Sequence, residues 1–195
     1  MIELQVGKKK YKIPSKIEEV TLRQWQDLNN TEEDKTEVES FANFSGIPFS
    51  KLKKANTKEV LYFIHQLNEM LSVENIGEPE TPTSFKVKGV EYIVDQDIDN
   101  LPMAQYLDCT AYMQRLQGKE HEFYPYMMAI YCLKKGEKYS FTGDTLEKRA
   151  EIMRDCSFLE AYSINLFFLI TSEVFRNATL QYLGVSQDMS KSKQE

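Results

Sequence analysis

Laid over itself with an offset of 81 residues, the chain repeats. Residues 4–28 align on residues 85–109 without a gap: Val6 falls on Val87, Tyr11 on Tyr92, Ile17 on Ile98, Gln24 on Gln105 and Asp27 on Asp108. Similar types fill other positions, among them Leu4 with Phe85, Ile13 with Val94, Glu18 with Asp99, Val20 with Leu101, Leu22 with Met103 and Trp25 with Tyr106. These positions shape a short hairpin and the helix after it, so what repeats is architecture and not a catalytic constellation. A unit this long, present twice, is no solenoid, in which shorter units stack in larger numbers. The expectation is an α+β fold, predominantly helical, made of two tandem related halves that pack together, each a β-hairpin followed by three or four helices.

Local signals place the boundaries. Residues 2–13 alternate, with Ile2, Leu4 and Val6 on one side and a turn at Gly7 and the lysines; residues 85–94 alternate again around Lys88-Gly89. Thr21 suits the N-cap of the helix carrying Leu22, Trp25, Gln26 and Leu28. Residues 31–34, with three acids, read as the next helix start. Gly46 reads as its C-cap with Pro48 beyond, and Asn56 or Thr57 caps a longer helix to about Val73. Gly77, Pro79 and Pro82 mark a linker over 77–84. In the second half Pro102 sits in the first turn of a helix over 103–116. A helix over 120–135 carries Pro125 near its start. A capping box at Asp144 and Glu147 opens a helix over 145–155, and a last helix runs from about Ser157 to Leu183. The halves are then residues 1–76 and 85–184, with a polar tail at 185–195 expected to be mobile.

Composition limits the chemistry. A formal charge of −6 argues against a surface for duplex nucleic acid or for anionic lipid. The lysines at 8–10, 53–54 and 134–135 read as solvated turn and helix-end residues. Cys109, Cys132 and Cys156 are odd in number and lack CxxC spacing, so reduced thiols are expected. The most apolar stretch, residues 161–172 between Glu160 and Glu173, is shorter than the ~20 residues a bilayer needs. With no basic-then-apolar leader at the N-terminus, the chain reads as soluble and intracellular.

Candidate sites are few. Asp95, Asp97 and Asp99 imitate the start of a calcium loop, but Asn100 stands where that loop needs Gly and Tyr106 where it needs Glu. His65 and His121 have no chelating spacing with each other or with the cysteines. No phosphate-binding, dinucleotide or nucleophile-elbow motif is present. No catalytic, metal or cofactor residue is assigned. The aromatic- and Met-rich stretch 123–131 is apolar around most of a helix, which reads as a central core helix. Aromatic and Met residues also fill interface cores, so Trp25, Phe123, Tyr124, Tyr126, Met127 and Tyr131 are the candidates for protein contact.

The opening GKKKYKIP hairpin, the IEEVTLRQWQDL helix start, the SGIP turn at 45–48 and the second hairpin FKVKGVEY together resemble a family of small helical proteins. These are encoded among the structural genes of tailed bacteriophages, notably phages of Bacteroidetes, and are tail-assembly-chaperone-like or small virion-morphogenesis proteins. The resemblance spans most of residues 1–135. It implies a non-enzymatic protein that binds other phage structural proteins, and possible self-association. It implies a place in the host cytoplasm or in the virion. Two other readings stand beside it: a small enzyme with acids such as Asp95, Asp97, Glu120 and Glu122 gathered between the halves, and a regulatory protein that binds a host factor.

Overall fold

The computed structural model describes residues 1–30, 35–72, 76–77, 79–97 and 100–182. Residues 31–34, Asp99 and the tail at 185–195, each given a role above, lie outside the described residues. The fold is mixed α+β and mostly helical. The first half runs β1 (Ile2–Val6), β2 (Lys9–Ile13), a 3-10 turn (Ile17–Glu19), α1 (Leu22–Asn29), α2 (Glu37–Ser45), α3 (Phe49–Leu52) and α4 (Thr57–Met70). The second half runs β3 (Ser84–Val87), β4 (Val90–Val94), α5 (Met103–Arg115), α6 (Glu120–Tyr131), β5 (Cys132–Lys134), α7 (Gly143–Met153) and α8 (Phe158–Tyr182).

The two hairpins share one register at the offset of 81. Leu4 pairs with Tyr11 and Val6 with Lys9; Phe85 pairs with Tyr92 and Val87 with Val90. Alternation sends Leu4, Val6 and Ile13, like Phe85, Val87 and Val94, into the core. The turns differ. Only Gly7 has positive φ in the first (64°), whereas Lys88 (50°) and Gly89 (81°) both do in the second, the signature of a type I′ turn. The left-handed geometry costs Lys88 roughly 1 kcal/mol, and an ion pair from its ammonium to Asp155 at 2.6 Å holds it there. The helices that follow also start in step, α1 at Leu22 and α5 at Met103.

Several element boundaries depart from the sequence reading. The helix expected over 120–135 ends at Tyr131. Cys132–Lys134 instead forms a third strand antiparallel to β4, pairing Tyr92 with Lys134 and Val94 with Cys132. Two side chains stabilise the change of course. Glu137 accepts the Lys134 N–H at 2.8 Å, and the buried Arg149 guanidinium donates to the Cys132 carbonyl at 2.6 Å. Helix α2 opens at Glu37 with Thr36 as N-cap in a capping box with Glu39. Helix α7 opens at Gly143, and its capping box pairs Thr142 with Thr145, not Asp144 with Glu147. Pro102 occupies the N-cap of α5 and no side chain caps that helix. Asn56 is the N-cap of α4, and Gly46 closes α2 in the left-handed conformation.

Helix α6 is the centre of the second half, packed by α5, α7 and α8. Met127, Met128, Ala129 and Ile130 are each at most 1% exposed. Complete burial of the larger side chains contributes ~1.5–3 kcal/mol each. The first half reaches into this centre, because α1 also packs on α6 and α8. The linker is tied down as well: the Thr81 hydroxyl donates to the Ser163 carbonyl of α8 at 3.3 Å.

Candidate interaction surface

The junction between the halves is built around α1. Its first two N–H groups cannot bond within the helix, and they find carbonyls of the α7–α8 connection: Leu22 N–H donates to Cys156 at 3.0 Å and Arg23 N–H to Arg154 at 2.7 Å. The Phe158 N–H returns a bond to the Val20 carbonyl. Gln24 completes the capping box with Thr21. The Arg23 guanidinium pairs with Glu151 at 2.8 Å and Asp155 at 3.1 Å. Burial by itself would raise the Asp155 carboxyl, but hydrogen bonds from Lys88 and Arg23 outweigh it and hold it below its ordinary value.

The same junction repairs a defect in α6. Pro125 lies inside that helix and has no N–H, so the carbonyl of His121, four residues before it, loses its helical donor. The buried Gln26 amide of α1 donates to that carbonyl at 2.8 Å. The His121 ring meets Asn30 at 2.7 Å. At the other end of α6, where carbonyls again lack helical partners, the buried Gln105 amide of α5 donates to the Ile130 carbonyl at 2.7 Å.

The six residues picked out as contact candidates all belong to this interior. Trp25 lies half-buried between Tyr124 and Phe158, with ring centroids at 5.2 and 4.9 Å. Phe123, Tyr126, Met127 and Tyr131 are buried. Tyr126 stacks on Tyr112 at 4.4 Å and donates to Glu147 at 2.5 Å, and Arg115 pairs with the same carboxylate at 2.8 Å. Burial, then the bond to Glu147, pushes the Tyr126 phenol up to about 12. Tyr131 stacks on Phe168 at 4.4 Å. In the folded chain these side chains meet one another and their neighbours.

Among the described residues, the largest set of exposed apolar side chains on one helix lies on α5. Gln105 and Cys109 face inward, while Met103, Tyr106, Leu107 and Met113 face outward with exposures of 69%, 46%, 60% and 45%. Their spacing of i, i+3, i+4 and i+10 draws one stripe along the helix. A smaller patch, Leu61 and Tyr62 on α4, is 51% and 57% exposed. Of the four residues of the α5 stripe, only Met103 and Tyr106 have apolar partners in the repeat, Leu22 and Trp25; Leu107 aligns with Gln26, and Met113 lies beyond the aligned run. Periodicity reveals an apolar face but not whether another element covers it.

The other candidates are dispersed. His65, on the outer side of α4, pairs with Glu69, whereas His121, on α6, meets Asn30. Asp95 and Asp97 are exposed: the Asp97 N–H donates to the Asp95 carboxylate, and Asn100 to that of Asp97. Glu122 pairs with Lys119. No group of three His, Cys, Asp or Glu among the described residues could hold a metal ion. A cleft of about 640 Å³ lies beside β5, lined by Ile93, Asp95, Gln105, Leu133, Glu137 and Tyr139 among others. Two of its polar groups are in structural use, Glu137 with Arg149 at 2.9 Å and the Tyr139 hydroxyl with Asp108. Cys109, Cys132 and Cys156 are buried and free, and burial raises the pKa of each thiol, that of Cys109 to about 11. Among the described residues no helix is long and apolar enough to cross a membrane. Comparison with family models, with curated proteins and with solved structures finds no match to the chain.

Proposed function

We propose that this chain acts by binding other proteins and not by turning over a substrate. The observation that carries the reading is the outer stripe of α5: four large apolar side chains on one face of one helix, surface of the kind that marks a protein contact. The setting we propose is the assembly of a tailed bacteriophage, as a tail-assembly chaperone or a minor neck or tail component. The supports for that setting are the GKKKYKIP and FKVKGVEY hairpin motifs and the helix starts that follow them. Chaperone and structural subunit use such a stripe alike, to cover apolar surface that would otherwise aggregate.

Co-expression with the tail and neck proteins of the same phage tests this. The wild-type chain should co-purify with at least one of them, and Leu107→Lys, which puts a charge in the stripe, should lose it. Capture that is equal for both forms, or absent for both, would overturn the reading. Mass spectrometry of purified particles then separates a subunit that stays from a chaperone that leaves.

A further inference from the structure

The loop after β5 leaves its positive charge unanswered. It reads Lys134-Lys135-Gly136-Glu137-Lys138, three cations and one acid. The acid turns inward: Glu137 pairs with the buried Arg149 at 2.9 Å and accepts the Lys134 N–H at 2.8 Å. The three lysines stay exposed, and among the described residues none of their ammoniums has an ion-pair partner. All three line the cleft of about 640 Å³ beside β5. Among the described lining residues the acid left over is Asp95, which accepts the Asp97 N–H at 3.0 Å. The cleft thus sets three ammoniums against one free carboxylate, in a chain whose formal charge is −6.

Its apolar lining runs on into the α5 stripe. Ile93, Leu101, Pro102 and Leu133 supply that lining, and none of them is fully buried. Leu101 and Pro102 lead directly into Met103, the first residue of the stripe, so cleft and stripe form one surface. From Met103 to Met113 the stripe extends about 15 Å at the helical rise per residue.

That surface selects its occupant. No strand can be added at β5: the N–H groups and carbonyls of Cys132 and Lys134 are taken by Met128, Arg149 and Glu137, and Leu133 pairs with Ile93. A small molecule needs polar groups fixed within the cleft. There the Gln105 amide, the Glu137 carboxylate and the Tyr139 hydroxyl already serve Ile130, Arg149 and Asp108. What remains is a rim of lysines, point charges on flexible stems. A nucleic acid needs a broader basic face and would leave the apolar part uncovered. A polypeptide that carries apolar side chains beside carboxylates matches both parts. Opposite charge at a rim steers association and fixes its register.

We propose that the cleft beside β5 and the α5 stripe together dock an acidic, apolar segment of a partner protein, with its carboxylates at Lys134, Lys135 and Lys138. The inference rests on the reading of α5 as a docking face and names the chemistry of what that face receives.

The test uses the co-expressed tail and neck proteins with the whole chain in three forms. These are the wild type, a cleft reversal (Lys134→Glu, Lys135→Glu, Lys138→Glu) and a control reversal at the first hairpin (Lys8→Glu, Lys9→Glu, Lys12→Glu) that reaches the same net charge. All six positions are exposed, and unchanged circular dichroism and melting would confirm folding. The cleft reversal should weaken capture by roughly tenfold or more, the control should not, and added salt should weaken the wild-type complex. A carbodiimide, which couples an amine to a carboxylate lying against it, should link Lys134, Lys135 or Lys138 to an Asp or Glu of the captured protein. Equal capture by the wild type and the cleft reversal overturns the inference, as does equal loss in both reversals. So do links that join only two copies of this chain. Capture abolished by nuclease also overturns it, by assigning the lysines to phosphate. If Leu107→Lys loses capture while the cleft reversal keeps it, the reading of α5 stands and the inference falls. A wild type that captures nothing removes both.

Discussion

At the residue scale, one amide among the contacts that join the halves answers a defect. Pro125 strips one hydrogen bond from the central helix, and Gln26, from an element almost a hundred residues earlier, replaces it at 2.8 Å. A buried carbonyl without a partner costs about 1–3 kcal/mol. The Gln26 Oε1 atom is itself buried without a partner, which offsets part of what the amide contributes. Gln26→Leu is therefore expected to destabilise the protein by roughly 1–2 kcal/mol, at the lower end of that range. Pro125→Ala gives the helix back its own donor for His121. In that background Gln26→Leu should cost clearly less, and urea unfolding of the four proteins in a double-mutant cycle measures the difference. Equal costs in the two backgrounds would show that the Gln26 bond does not answer the proline.

Among elements, β5 shows how far local pattern reaches. Hairpins and helix starts follow from alternation, turn residues and caps, which is why the sequence places both hairpins, Thr21 as N-cap and Gly46 as C-cap. Residues 132–134 carry no such signal. Tyr-Cys-Leu continues the apolar run of α6 with no Gly or Pro until Gly136, and it becomes a strand only because β4 offers an edge and Arg149 holds the Cys132 carbonyl. Arg149 is fixed in turn by Glu137 and by the rings of Tyr92 and Phe141, at 5.1 and 4.6 Å. Breaking a buried ion pair costs ~3–5 kcal/mol. Glu137 keeps some contact with water, so Arg149→Met is expected to lose about 2–3 kcal/mol of stability in urea, at or below the low end of that range. Hydrogen exchange at residues 132–134 should accelerate by more than at residues 2–6. Uniform acceleration would mean that Arg149 serves the whole core and not this strand. The α5 stripe escaped the sequence for a related reason. Both faces of α5 carry apolar residues, and only the packed fold tells the covered one from the open one.

For the whole molecule, the interleaving of α1 with α6 and α8 makes independent melting of the halves unfavourable. Losing α1 would uncover Tyr124, Phe158 and the His121 carbonyl together, so a single cooperative transition is expected. Three sulfur atoms are placed to time it. Cys109, Cys132 and Cys156 are no more than 4% exposed and lie along the centre of the second half. A thiol reagent added under native conditions can reach them only when that centre opens. All three should then be modified at one shared rate, and destabilising the first half through Gln26→Leu should quicken every one of them. Separate rates for the three would reveal a core that opens piecemeal. The chain thus carries built-in clocks for its own opening, readable without introducing any new residue.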